Sequence, residues 1–473
     1  MAPRFMGRAL SLPAPGPFNA TDQILTFQAP PMAPGSYTLD VAYLGTTDCL
    51  VAGPGLCIRP PAPNDLFAYR QDAHVLSGTT QTLSALVASA DRLADAYVEA
   101  AGSSHFSSAY LPPGFVPVDF AYAKDGPSGA FDLRLYVVGY QQLSPGVFSG
   151  LLYLFDVPTN RAVDLNGAAT GVTLALHGRP RALDVADDSY AYVAYDVDST
   201  TWGIDVVSLN PAQPSNPSVQ AVGPTFPDRQ AVRVKVKSLE GSTRRVHVLH
   251  HDFGCEGGEG GLSPLGGDGE LPGQPPICKG CPGGGTDPSR SLILEVLDFV
   301  GGAFGSAVAS VVIENAAVPC GSPSLEDTGM DFNAAKDQMW VASPDQDRVR
   351  VINLTNHQTI GSPIPVGDFP TGVSLEVVQG GIERAYVANK LSDSYTVIFA
   401  SNRSVDVSIN LDTNGIADIL PTDLVVNPNG AQLLVVASGA SKIRSFVLPG
   451  NSLGPDYPAD TSPKRIVIQR RTP

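Results

Sequence analysis

The chain has 473 residues, with 46 acidic side chains against 30 basic ones and a formal charge of −16, so it lacks the concentrated positive field that nucleic acid or an anionic membrane surface requires. With 43% hydrophobic and 16% charged residues it has the composition of a folded protein, and no apolar run approaches the roughly 20 residues that span a bilayer. Its 48 glycines and 42 prolines punctuate short elements and leave little room for helices of average length, which puts an all-β architecture first.

Residues 1–60 read as an N-terminal β-rich extension. Ala33-Pro34-Gly35-Ser36 is a turn that enters the alternating strand Tyr37-Thr38-Leu39-Asp40-Val41-Ala42-Tyr43. The segment is shorter than the roughly 100 residues of an immunoglobulin-like sandwich, which favours an appended hairpin or partial blade. Met1 to Arg8 contain no apolar run of the about 7 to 15 residues that a secretory signal needs, which alone points to the cytoplasm. Cysteine usage points outward. Cys49, Cys57, Cys255, Cys278, Cys281 and Cys320 lie in Gly/Pro-rich stretches, and an even number in such loops reads as disulfides and an oxidising compartment.

From residue 61 onward the chain reads as one repeating architecture. In Leu83, Leu86, Val87, Ala90, Leu93, Ala94, Tyr97 and Val98 the apolar spacing fits one helix face, while Ala96-Tyr97-Val98-Glu99-Ala100 also fits a copy of a recurring strand. That strand returns as Leu135-Tyr136-Val137-Val138, Ala191-Tyr192-Val193-Ala194, Val246-His247-Val248-Leu249, Met339-Trp340-Val341-Ala342, Ala385-Tyr386-Val387-Ala388 and Leu434-Val435-Val436-Ala437. The steps between second positions are 56, 55, 93, 46 and 49 residues. The long one becomes ordinary once a Gly/Cys-rich insertion at 254–290 is removed. Pro-led strands precede these copies at Pro117, Pro180, Pro370 and Pro421, and alternating strands such as Val349–Asn353 and Tyr395–Phe399 follow them. Lys464-Arg465-Ile466-Val467-Ile468-Gln469 reads as a late strand that pairs with an early unit and removes two sheet edges.

The pattern P-x-x-strand-turn-x-Y-V-A-N-x-x-x-S/D-x-x-V-x-V-turn, clearest from Pro370 to Val405 and traceable over about residues 113 to 450, resembles the blade of YVTN-type propellers of surface-layer and lactonase-like proteins. The resemblance implies an all-β β-propeller of four-stranded blades around a central channel. Six blades are visible; a seventh is expected from the N-terminal region. Members of the family include surface-layer proteins, enzymes and adaptors, so no single activity follows.

Two segments carry candidate ligands. Asn410, Asp412, Asn414 and Asp418, with Gly415 between them, have the spacing of a calcium loop, but Pro421 stands where its last acidic ligand belongs, and such residues also serve turns. His247, His250, His251, Cys255, Cys278 and Cys281 are a dense set of soft ligands. A lone Cys-x2-Cys without a matching second pair nevertheless reads as disulfide chemistry before metal. No nucleophile, phosphate-cradling or zinc-protease motif is present, and no repeated acidic position is visible pointing into the channel.

The reading is a non-catalytic extracellular, cell-surface or periplasmic propeller, without cofactor unless calcium, acting as a binding or structural module. Its expected partner is a protein, a polysaccharide or further copies of itself in a surface assembly. The competing reading is a channel-mouth hydrolase, lactonase-like, that uses a divalent metal; a redox or metal-storage role through the His/Cys segment is a third.

Overall fold

The computed structural model describes separate strands between residues 4 and 109 and, apart from connecting segments of which 254–289 is the longest, residues 115–469. Among these residues the chain is all-β apart from short 3-10 turns such as Pro344–Gln346. Seven antiparallel sheets form a ring. Blade 1 is ordered Arg465–Gln469, Thr82–Ala88, Leu93–Glu99, Ser104–Ala109. Blades 2 to 7 follow in chain order. Their innermost strands are Phe115–Tyr122, Arg179–Asp187, Arg229–Ser238, Met330–Phe332, Pro370–Val378 and Pro421–Val426, with each later strand of a blade lying farther from the axis.

The recurring strand is the second one of its blade, and sequence explains why it recurs. A blade is covered on both faces by its neighbours, so this strand must be apolar at every position rather than at alternate ones. Tyr190–Asp196 and Gln338–Ser343 are buried almost residue by residue. Tyr136, Tyr192, His247, Trp340, Tyr386 and Val435 all sit on second strands and are all buried. Every described apolar cluster spans two adjacent blades. One joins Tyr136 and Val138 of blade 2 to Leu183 and Val193 of blade 3; another joins Tyr386 and Val397 of blade 6 to Leu424 and Val435 of blade 7.

Each innermost strand presents a sheet edge to the axis, and its N–H groups need acceptors. Side chains of the preceding blade supply them at five of the junctions among the described residues. Asp119 accepts from Leu183 N–H at 2.9 Å, Asp184 from Val236 N–H at 2.7 Å, and Asp331 from Leu375 N–H at 3.0 Å. Ser374 accepts from Val426 N–H at 3.4 Å and Asp423 from Ile466 N–H at 3.1 Å. Between blades 4 and 5 the Lys235 ammonium meets Asp331 at 3.1 Å. Arg233 of blade 4 reaches past blade 3 to within 3.6 Å of Asp119 of blade 2, so one ion pair joins blades that are not neighbours in the ring. Burial opposes the Lys235 charge, but Asp331 and Asp184 outweigh it and raise its pKa.

The strand Arg465–Gln469 pairs antiparallel with Thr82–Ala88, matching Ile466 to Val87, as expected for ring closure. The segment around Leu83 to Val98 forms two strands, not a helix. Tyr97 lies on the third strand of its blade, so the counterpart of the recurring strand is Thr82–Ala88. Helical spacing misled here because two strands in close succession placed apolar residues at intervals that also suit a helix.

The N-terminal appendage is a four-stranded sheet ordered Arg8–Ala9, Arg4–Phe5, Gly35–Asp40, Asp72–Val75, with a separate hairpin of Leu50–Gly53 and Leu56–Ile58. The sheet takes in residues on both sides of position 60.

Candidate functional site

All innermost strands begin at the same face of the ring, called upper here, and blades 2 to 5 crowd charged and aromatic side chains there. In blade 3 Arg179 stands opposite Asp196, and in blade 4 Gln230 stands opposite His251. Phe253 and Arg290 are cross-strand partners. The insertion between them therefore leaves and rejoins blade 4 at two neighbouring points on this face.

His177, in the connection entering blade 3, is bound twice to one carboxylate. Its backbone N–H donates to Asp205 at 2.9 Å and its ring Nδ1 pairs with the other oxygen at 2.8 Å. The Asp205 side chain is 0% exposed and the His177 side chain 52% exposed. Burial pushes the Asp205 carboxyl above its usual range against the opposing pull of His177. Burial, then the Asp205 charge, pushes the Tyr195 hydroxyl up to about 12. Beside this pair the Arg179 guanidinium lies over the rings of Tyr140 and Phe148, 4.4 and 4.9 Å from their centroids, and donates to Tyr140 Oη at 3.1 Å. An imidazole clamped at Nδ1 by a buried carboxylate, with its other edge toward solvent, is oriented to accept a proton.

Toward blade 5 the charges pair among themselves. Arg181 donates to Asp196, and Arg290 grips Asp345 with two nitrogens, Nε at 2.7 Å. Ser343 Oγ donates to Glu314. Glu314 is pushed up to about 7, first by burial and then by the nearby Asp345 charge, against the Ser343 hydrogen bond. His251 is held down at about 3 by burial, with Arg290 and Arg181 adding repulsion. Burial likewise holds His247 at about 3. His250 lies 3.7 Å from Glu295.

The residues singled out in the sequence are only partly within view. Asn410 ends the outermost strand of blade 6, and its Oδ1 accepts from the backbone N–H of Asp412 at 2.7 Å, which is turn chemistry. Asn414 and Asp418 lie outside the described residues. So do Cys49, Cys255, Cys278, Cys281 and Cys320, while Cys57 is described only as part of the strand Leu56–Ile58. Among the described residues no group of three or more His, Cys, Asp or Glu is placed to hold a metal ion. The expectation that no acidic residue recurs toward the axis needs correction, because Asp119, Asp184, Asp331 and Asp423 all face it. Their signal was local: Pro117-Val118-Asp119 and Pro421-Thr422-Asp423 share a Pro-x-Asp start. His177, Arg179 and Asp205 belong to no motif and were missed, since the connection entering blade 3 and the third strand of that blade bring them together.

No protein-family model and no curated protein matches this chain. Its fold is similar to that of solved propellers. A provisionally assigned 6-phosphogluconolactonase of Bacteroides fragilis matches with 14% identity and a TM-score of 0.50, over 82% of this chain and 98% of that one. A second, from Bacteroides uniformis, matches with 13% identity and a TM-score of 0.51, over 82% and 99%. A Lactobacillus plantarum protein matches with 12% identity and a TM-score of 0.50, over 83% and 100%. At these identities the likeness concerns the fold. No helix among the described residues is long and apolar enough to cross a membrane.

Proposed function

We propose that this chain is a binding and structural module of an extracytoplasmic surface, and that the upper face of blades 2 to 5 presents its contact groups. The observation that carries the reading is the engagement of the carboxylates at the axis. Asp119 is engaged by Leu183 N–H and Arg233, Asp331 by Leu375 N–H and Lys235, and Asp423 by Ile466 N–H. Carboxylates committed to backbone donors and cations hold a ring together and are poor ligands for a channel ion. A rigid ring with charged, aromatic and loop-borne groups on one face suits recognition of a protein, a polysaccharide or another copy. The cysteine pattern supports an oxidising location: titration of native protein with a thiol reagent is expected to find the six cysteines blocked until reductant is added.

One observation favours the hydrolytic alternative, namely the exposed His177 ring clamped by buried Asp205. Both readings are tested by assaying lactones, 6-phosphogluconolactone among them, with and without divalent cations. The binding reading predicts no turnover. Hydrolysis that disappears in His177→Ala, while the variant remains folded, would replace it with a catalytic one.

A further inference from the structure

The outermost strand of blade 4, Ala303–Ala316, has 14 residues, which at about 3.4 Å per residue is a run of about 45 Å. Among the described residues nothing pairs with its outer edge. No charged residue occurs between Asp298 and Glu314, and Val300, Val308 and Val312 are 51%, 41% and 56% exposed. A long, uncharged, β-branched edge invites another strand, and folded proteins normally blunt it with brevity, proline or charge.

Most of the other blades do so. The outer strands Arg161–Ala162, Ile364–Pro365 and Ser452–Leu453 have two residues each, one of them with proline. Ser218–Val222 has five, and Ser404–Asn410 carries Asp406. Blade 1 ends in the six-residue strand Ser104–Ala109, so blade 4 is set apart by the length of its edge, and irregular pairing at Leu292/Ile293, Val296/Leu297 and Leu297/Phe299 interrupts its inner side without shortening it.

Resting on the binding and structural reading, we infer that this edge is the seam between two copies of the chain, paired antiparallel about a two-fold axis. Charge selects this occupant. Two copies each carrying −16 repel except where both surfaces are locally neutral, and the uncharged run lets the strand meet itself without like charges opposite one another. Antiparallel pairing of identical strands is self-complementary, and the interface closes after two copies.

The test is the mass of the full chain by sedimentation equilibrium from about 1 to 100 µM, for wild type and for Val308→Lys/Val312→Lys. The expected result is a wild-type dimer and a double variant whose dimer dissociation constant is at least about a hundredfold higher, since like charges set across an interface cost several kcal/mol. Thermal melting confirms that the variant is folded. Amide exchange should show Ala303–Val312 protected in wild type and open in the variant. A wild-type monomer throughout the range overturns the inference, as does a dimer indifferent to the two lysines. Either failure leaves the upper-face binding reading standing, because that reading answers to the lactone and thiol assays.

Discussion

Asp423 of blade 7 accepts a hydrogen bond at 3.1 Å from the backbone N–H of Ile466, and through it the last strand of the chain is held against the ring it closes. The other Asp423 oxygen accepts from Leu424 N–H at 3.0 Å. Burial pushes this carboxyl up, and Arg233 and Arg465 pull it back. Asp423→Ala leaves two buried N–H groups without their acceptor and removes the charge that Arg233 and Arg465 attract. A loss of about 2 to 4 kcal/mol in urea unfolding is expected, together with faster exchange of the Ile466 amide than of amides in blade 5.

Glu314 makes stability depend on pH near neutrality. Its pKa rises from 4.5 unfolded to about 7 folded, so the folded chain holds the proton more tightly. This contribution is fully present below pH 4.5 and is lost as pH rises through 7, on the order of 3 kcal/mol across that span. Glu314→Gln keeps the oxygen facing Ser343 and cannot ionise. Its melting temperature should match wild type near pH 4.5 and exceed it at pH 8.

His247 and His251 act in the opposite sense. Burial lowers both from 6.5 to about 3, so the unfolded chain takes up protons first as pH falls. Their contribution is present above pH 6.5 and is lost progressively toward pH 3. His247 occupies the slot that holds Tyr or Trp in blades 2, 3, 5 and 6 and meets the Phe332 ring edge-on at 5.5 Å between centroids. His247→Phe, a somewhat larger apolar ring in a fully buried slot, should cost about 1 to 3 kcal/mol at pH 7 and give a shallower acid limb in a pH series of denaturant melts.

Arg290 and Asp345 tie the root of the insertion to blade 5, with side chains 10% and 3% exposed. Arg290→Met strands a buried carboxylate and is expected to cost about 3 to 5 kcal/mol. Adding Asp345→Leu should restore most of that loss, a recovery that a double-mutant cycle measures. If the double variant is no more stable than the single one, the pair is not the source of the effect.

The fold was legible because its signal is local and repeated. Tyr136, Tyr192, Trp340 and Tyr386 each sit in a continuous apolar strand, since a sheet covered on both sides selects for one. The site was not legible in the same way. His177 and Asp205 are 28 residues apart and meet because a connection folds back over a third strand, which no spacing rule encodes. Asp119 and Asp423 were visible in their Pro-x-Asp starts, yet their task depends on the neighbouring blade.

The sequence alone determined the four-stranded unit, its number of clear copies and the character of its second strand, because side-chain alternation and burial act over a few residues. Tertiary structure decided which strand closes the ring, that carboxylates join adjacent blades at the axis, and that one outer edge is left long and uncharged. Closure pairs Ile466 with Val87, across almost the whole chain. Such a choice is settled by which backbone donors and acceptors remain unpaired once all the blades have formed.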